Sequence, residues 1–215
     1  MTFPRCAPLG DSALTLVFGD SIDPGTHQRV MAVTRRLQSA PLRSVREVVP
    51  AYTTISIWFD PLERDAAGLA AELLDMAAGT PATEPVSAGR EWVIPVRYDG
   101  PDLAGVAETL GLSVAEVVRR HQETPYRVYL LGFVPGFAFL GLLDPALVLP
   151  RRSSPRPKVP AGSVGIAGVQ TGIYPIDTPG GWHLLGRTDL VLFDPRRNPP
   201  ALLEVGDTIR FEAVQ

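Results

Sequence analysis

Residues 126–188 read YRVYLLGFVPGFAFLGLLDPALVLPRRSSPRPKVPAGSVGIAGVQTGIYPIDTPGGWHLLGRT. Glycine and proline recur every few residues between short apolar runs, so the backbone is turned and stiffened repeatedly instead of being carried by long helices. From Tyr126 onward six short extended segments are expected: YRVYLLGF, SVGIAG, TGIYPI, WHLLGRT, LVLF and TIRFEAV. So many strands in so little chain suggest a closed or nearly closed β-barrel, which removes exposed sheet edges. Just upstream, EWVIPVRY at 91–98 reads as a strand whose Pro95 suits an edge position. Asp102 is placed to cap a short helix through Leu110, and Ser113 with Glu116 forms a capping box for another through about His121.

The N-terminal part has a different rhythm. Residues 5–18, RCAPLGDSALTLVF, read as two strands around a Gly10-Asp11 turn. Asp23-Pro24 marks a helix start, with Val30, Val33 and Leu37 on one face. Two β-branched and aromatic stretches at 45–50 and 53–59 follow, and then a helix at 65–77 with Leu69, Leu73 and Met76 aligned. The order ββαββα suits an antiparallel sheet with two helices on one side. Residues 78–90, AGTPATEPVSAGR, carry small, polar and turn-forming residues without periodicity. The expected class is therefore α+β, mainly β: an α+β domain at 1–80, a linker at 81–90 and a β-barrel domain at 91–215.

At 215 residues the chain is long enough for two cores. A net charge of −3 argues against a nucleic-acid binder. Cys6 stands alone, which excludes an internal disulfide, and no run reaches the ~18 to 20 apolar residues of a membrane span. A cytoplasmic location is the expectation. His27, His121 and His183 lie far apart in the sequence, so no metal site is expected.

Against that mildly acidic background Arg151, Arg152, Arg156 and Lys158 fall in one segment stiffened by Pro150, Pro155, Pro157 and Pro160, with almost no acid nearby in sequence. A preorganised fork of cationic donors suits a carboxylate or phosphoryl group; a basic surface loop is the plainer alternative. Gln170, Thr171, Tyr174 and Trp182 supply hydrogen-bonding and aromatic surface in neighbouring turns, although Tyr174 and Trp182 fit equally as core fillers. His121, at a helix end, is either held by the helix dipole or serves as a general acid or base. The glycine string Gly162, Gly165, Gly168 lacks the order of a P-loop or dinucleotide turn and reads as close backbone packing. No nucleophile elbow and no nucleotide loop are visible.

GFVPGFAFLG, LPRRSSPRPKVPAGSVGIAG, QTGIYPIDTPGGWHLLGRT and LFDPRRNPPALLEVGDTIRF, in this order, resemble the family of the 5-oxoprolinase B subunit, also called PxpB, KipI or allophanate hydrolase subunit 1. GDSALTL, VVPAYTTISIWFDP and HQETPYRVYLLGF extend the resemblance over nearly the whole chain; Gln122-Glu123 and Gly141-Leu142 depart from the usual pattern. The resemblance implies a cyclophilin-like β-barrel in the C-terminal half. It also implies two partners, one of the KipA type and one of the LamB/YcsF type, and the three together would open 5-oxo-L-proline to L-glutamate with ATP hydrolysis. ATP would be bound by the complex, since this chain shows no recognisable motif for it, and the chain alone would be inactive. In that setting Arg152, Arg156 and Lys158 would hold the substrate carboxylate or a phosphorylated intermediate, Gln170, Tyr174 and Trp182 would line the groove, and His121 would move a proton. Relatives of the family also suggest a histidine-kinase inhibitor or a biotin-dependent urea-carboxylase half; prolyl isomerisation rests on fold name alone.

Overall fold

The structure is a computed structural model and describes residues 2–81 and 89–215. Apart from its ends, the linker expected at 81–90 lies outside the described residues. The chain divides into two compact units, Met1–Ser87 and Ala88–Gln215.

The first unit runs β1 (Arg5–Pro8), β2 (Ala13–Val17), α1 (Pro24–Ser39), β3 (Val45–Ala51), β4 (Thr54–Phe59) and α2 (Ala66–Ala78). Its sheet is antiparallel throughout, in the order β1-β2-β4-β3. The two-residue period of the strands turns Leu14, Leu16, Ile55, Ile57 and Phe59 to one face, where Leu14 opposes Ile57 and Leu16 opposes Ile55. Val30, Val33 and Leu37 of α1 cover that face together with Leu69, Leu73 and Ala77 of α2. Burying each of the larger side chains contributes roughly 1.5–3 kcal/mol. On α2 the fully buried row follows i, i+4 spacing to Ala77, and Met76 packs only partly buried beside it. Both helices start on a side-chain cap: Asp23 accepts from Thr26 N at 2.7 Å, and Asp65 accepts from Gly68 N at 2.7 Å.

The second unit contains β5 (Glu91–Val96), α3 (Leu103–Leu110), α4 (Val114–Glu123), β6 (Tyr126–Leu131), β7 (Ala138–Gly141) and a short 3-10 turn at Pro145–Leu147. Beyond these come β8 (Arg156–Val159), β9 (Ser163–Ala167), β10 (Gln170–Ile173), β11 (Thr178–Gly180), β12 (His183–Arg187) and β13 (Thr208–Ala213). Seven strands form one sheet, β12-β9-β10-β7-β6-β13-β5, and β8 with β11 forms a separate two-stranded ribbon. The two end strands meet where Arg97 N–H donates to Arg187 O at 2.9 Å and Arg187 N–H returns to Arg97 O at 2.8 Å, so the barrel is nearly closed. Gly186 permits that seam, because a Cβ there would fall inside contact distance of Arg97 O. Pro95 sits in the terminal strand β5, which pairs in parallel with β13 alone.

Two hydrophobic clusters share these strands by alternation. Val164 and Ile166 of β9, Leu140 of β7 and Leu185 of β12 join the main core, which α3 and α4 close with Leu103, Val106 and Val117. Ala167 and Leu184 instead face Phe137, Tyr174 and Trp182 in a second, aromatic cluster. Strand β9 is therefore buried along its whole length.

Three expectations change. LVLF at 190–193 is not a strand: Leu192 is buried, Phe193 makes a single bridge to Ala201, and the prolines that follow prevent a ladder. Strands β7, β8 and β11, of three or four residues each, are too short for a periodic signal. Asp102 occupies the position before α3 but makes no capping bond, because its carboxylate is engaged elsewhere. In the glycine string, Gly162 holds a positive φ of 82° against Thr188 O and Gly165 lies under Trp182 and His183, which is backbone packing.

Candidate functional site

The proline-stiffened segment 149–160 leaves the 3-10 turn, runs past β12 and becomes the ribbon strand β8. Two contacts hold it there: Arg152 N–H donates to Gly181 O at 2.9 Å, and His183 Nε2 lies 2.9 Å from Pro150 O. A carbonyl oxygen has no proton, so Nε2 carries the hydrogen of that bond.

At the centre stands Asp102, 50 residues upstream of Arg152 and nearly buried, with its side chain 9% exposed. Its Oδ1 accepts from Arg152 Nη1 at 2.9 Å and from Arg156 Nη2 at 2.6 Å, and its Oδ2 accepts from Leu184 N at 2.7 Å. Burial on its own raises the carboxyl, but the Arg156 hydrogen bond, the Leu184 N–H and the two guanidinium charges outweigh it and hold Asp102 below the usual carboxylate range. Two guanidiniums thus face one carboxylate and leave a local surplus of positive charge. The carboxyl comes from the start of α3, so sequence distance from the basic segment concealed it.

The segment's cations do not form a single fork. Arg156 and Lys158 border a cleft of about 340 Å³ together with Asp99, Pro101, Ser163 and Arg187. Lys158 is 70% exposed and pairs with Asp177 at 2.8 Å; that hydrogen bond and the Asp177 charge raise its ammonium. Arg152 borders a second pocket, of about 390 Å³, with Arg151, Ser153, Ser154 and His183. Tyr174 and Trp182 line a third cavity with Phe133, Phe137, Phe139 and Arg151; Arg156 and Lys158 are not in its wall, although Gly180, which is, pairs with Arg156 across the ribbon. Gln170 is half-buried at the β9–β10 hairpin, opposite Ala167 and Gly141, and lines none of these three.

His121 lies apart from these pockets. It is 0% exposed and stacks on Phe211 at 4.5 Å between ring centroids. Nδ1 lies 2.7 Å from Tyr98 Oη and Nε2 lies 2.9 Å from Thr171 Oγ1, while the Thr171 hydroxyl donates to Gly165 O at 3.1 Å. Thr171 has spent its one proton, so it accepts from His121 Nε2–H, and Nδ1 accepts from Tyr98 O–H. The imidazole is neutral and held in one tautomer. A helix-end histidine gives no hint of this from sequence, because Thr171 arrives 50 residues later.

Burial pushes His121 down to about 3 from an ordinary 6.5. Between those values the unfolded chain binds a proton that the folded chain does not, so stability falls as pH falls through the window. The slope contributed is about 1.4 kcal/mol per pH unit. Wild-type protein is therefore expected to lose about 2 kcal/mol more between pH 7 and pH 5 in urea unfolding than His121→Gln does. Equal losses in the two proteins would show that this ring does not control the acid response.

Among the described residues no cluster of His, Cys, Asp and Glu is suited to a metal ion, and no helix is long and apolar enough to cross a membrane. Residues 4–203 match the family described as "Carboxyltransferase domain, subdomain C and D". Over 221 residues the chain is 42% identical to the 5-oxoprolinase B subunit of Bacillus subtilis (strain 168), covering 94% of this chain and 90% of that protein. It is similar to the crystal structure of TTHA0988, with a TM-score of 0.83 and 43% identity over 94% of this chain, but spans only 40% of that polypeptide. The Kluyveromyces lactis urea carboxylase has a TM-score of 0.78 at 18% identity, covering 98% of this chain and 22% of that one, a likeness of fold alone.

Proposed function

Because the chain belongs to the family of the 5-oxoprolinase B subunit, we propose that it acts as one component of a 5-oxoprolinase and binds the anionic end of 5-oxo-L-proline, or of a phosphorylated form of it, in the cleft beside Arg156 and Lys158. The observation that carries this is the clamp on Asp102. Two guanidiniums share one carboxylate, and Arg156 also forms the wall of a cleft where Lys158 and Arg187 add positive charge. Such a cleft attracts a carboxylate or phosphoryl group, and the clamp fixes the direction of the Arg156 donors before the ligand arrives.

In the overall reaction one water adds across the lactam C–N bond to give L-glutamate, and a second converts ATP to ADP and phosphate, which makes the ring opening favourable. This chain supplies charge and orientation. Its cleft is completed by a KipA-like partner and a LamB/YcsF-like partner, and the isolated chain does not turn over. Co-expression with relatives of those two proteins is expected to give ATP-dependent glutamate release from 5-oxo-L-proline that vanishes when this chain is omitted. Release no greater than that of the two partners by themselves would overturn the assignment.

A further inference from the structure

The aromatic cavity beside the second hydrophobic cluster is not used by the cleft just described. It measures about 290 Å³ and its walls include Phe133, Phe137, Phe139, Tyr174 and Trp182, with Arg151 at the edge. Phe133 is 63% exposed, an unusual place for a phenylalanine, and its φ of 69° lies in the left-handed region, which costs roughly 1–2 kcal/mol for a residue with a side chain. The turn over-determines that conformation: Gly132 N–H donates to Phe137 O at 3.1 Å, Val134 N–H to Gly132 O at 2.8 Å and Phe137 N–H to Val134 O at 3.1 Å. Phe133 meets Phe137 edge-on, with centroids 5.7 Å apart at 83°, and Phe137 meets Trp182 at 5.5 Å and 89°. A strained, exposed ring held over an aromatic cavity is the kind of outlier that points to a ligand.

The pocket beside it has the opposite chemistry. Arg151 borders both, and the second is completed by Arg152, Ser153, Ser154, Thr109 and His183. Whereas Arg152 and Arg156 are held by Asp102 and Lys158 by Asp177, Arg151 has no carboxylate partner among the described residues. Its guanidinium is exposed and uncommitted, next to the hydroxyls of Ser153 and Ser154. An aromatic slot that shares Arg151 with a neighbouring hydroxyl-lined pocket fits a molecule that is flat and aromatic at one end and polyanionic at the other. 5-Oxo-L-proline has no aromatic ring and is too short to occupy both.

We propose that these two adjoining pockets form a nucleotide site, taking the purine base of ATP against Phe133 and Trp182 and its phosphates at Arg151, Ser153 and Ser154. Stacking on aromatic side chains is worth about 1–3 kcal/mol per base and needs no glycine-rich loop, which explains how a chain without a P-loop holds a nucleotide. The choice of ATP over another nucleotide rests on the 5-oxoprolinase reading above; the base-and-phosphate division rests on the pockets.

Isothermal titration of the full chain with ATP, adenosine and tripolyphosphate as probes tests the division. Phe133→Ala is expected to weaken ATP and adenosine about tenfold, and Arg151→Ala to weaken ATP and tripolyphosphate about tenfold while leaving adenosine unchanged. Both side chains are exposed, so both variants should retain the wild-type circular dichroism and unfolding midpoint. In the ternary assembly the same variants should raise KM for ATP and leave KM for 5-oxo-L-proline unchanged. No ATP binding at millimolar concentration by the chain or the assembly, or an ATP affinity indifferent to both substitutions, overturns the site. ATP binding that responds to both substitutions in an assembly that releases no glutamate supports the site and rejects the 5-oxoprolinase role instead.

Discussion

Arg156→Ala is expected to lower ATP-dependent glutamate release by the ternary assembly about a hundredfold, while the protein stays folded. A charge-assisted hydrogen bond to a bound anion contributes about 1.5–3 kcal/mol, and ~1.4 kcal/mol corresponds to a factor of ten in rate. The fold should survive because Asp102 keeps two of its three donors, Arg152 and the Leu184 N–H. The loss should fall mainly on KM for 5-oxo-L-proline if Arg156 holds the substrate's carboxylate in ground and transition states alike, and mainly on kcat if it meets charge that develops later. Lysine at the position keeps the charge but loses the planar fork, so Arg156→Lys is expected to recover only part of the activity. Near-normal turnover by Arg156→Ala would remove the anion cleft from the mechanism. Because KM for ATP is predicted to respond to Phe133 and Arg151 instead, the same assay separates the two pockets.

The second large effect concerns stability. Asp102→Ala removes the carboxylate between two guanidiniums and leaves the buried Leu184 N–H without its acceptor. Arg152 Nε and Arg156 Nη1 are already buried without a hydrogen-bond partner, so the cluster has no spare acceptor to take up the released donors. The two guanidiniums are 33% and 22% exposed, so water compensates part of what the carboxylate supplied, and the expected loss in urea or guanidinium unfolding is about 2–3 kcal/mol. Removing Arg152 in the same chain relieves the repulsion, so Asp102→Ala with Arg152→Ala should be less destabilised than Asp102→Ala alone. If Asp102→Ala unfolds within about 1 kcal/mol of wild type, the clamp is not a structural centre. The acid response has a separate window from that of His121. The folded carboxyl lies below its ordinary 3.8, so its stabilisation is present above that value and is lost as pH falls through the folded value. The His121 contribution begins to fall earlier, from 6.5 downward.

Local pattern carried a large part of the architecture. The ββαββα order was legible because each element announces itself within a few residues: Asp23-Pro24 starts α1, Leu69 and Leu73 fix the buried face of α2, and the alternation in TTISIWF fixes a strand. The barrel was legible from the Gly/Pro punctuation after Tyr126, because only short strands fit between such turns. Family membership also lay in the sequence, carried by the long strings of the same region. LVLF shows the limit, since four apolar residues satisfy a buried loop as well as a strand.

What sequence determined by itself was the class, the order of elements and the presence of a local basic segment, since these depend on interactions within a few residues. Only the tertiary structure decided which partners the basic segment meets. Asp102 reaches Arg156 across 54 positions and Thr171 reaches His121 across 50, and both partners arrive because a nearly closed barrel brings distant strands and helix ends together. The segment that looked free of acid is anchored on one, His121 is buried in the core, and Arg152, Arg156 and Trp182 border three different pockets. No local pattern encodes such pairings, because charge compensation and burial are settled by the whole fold at once.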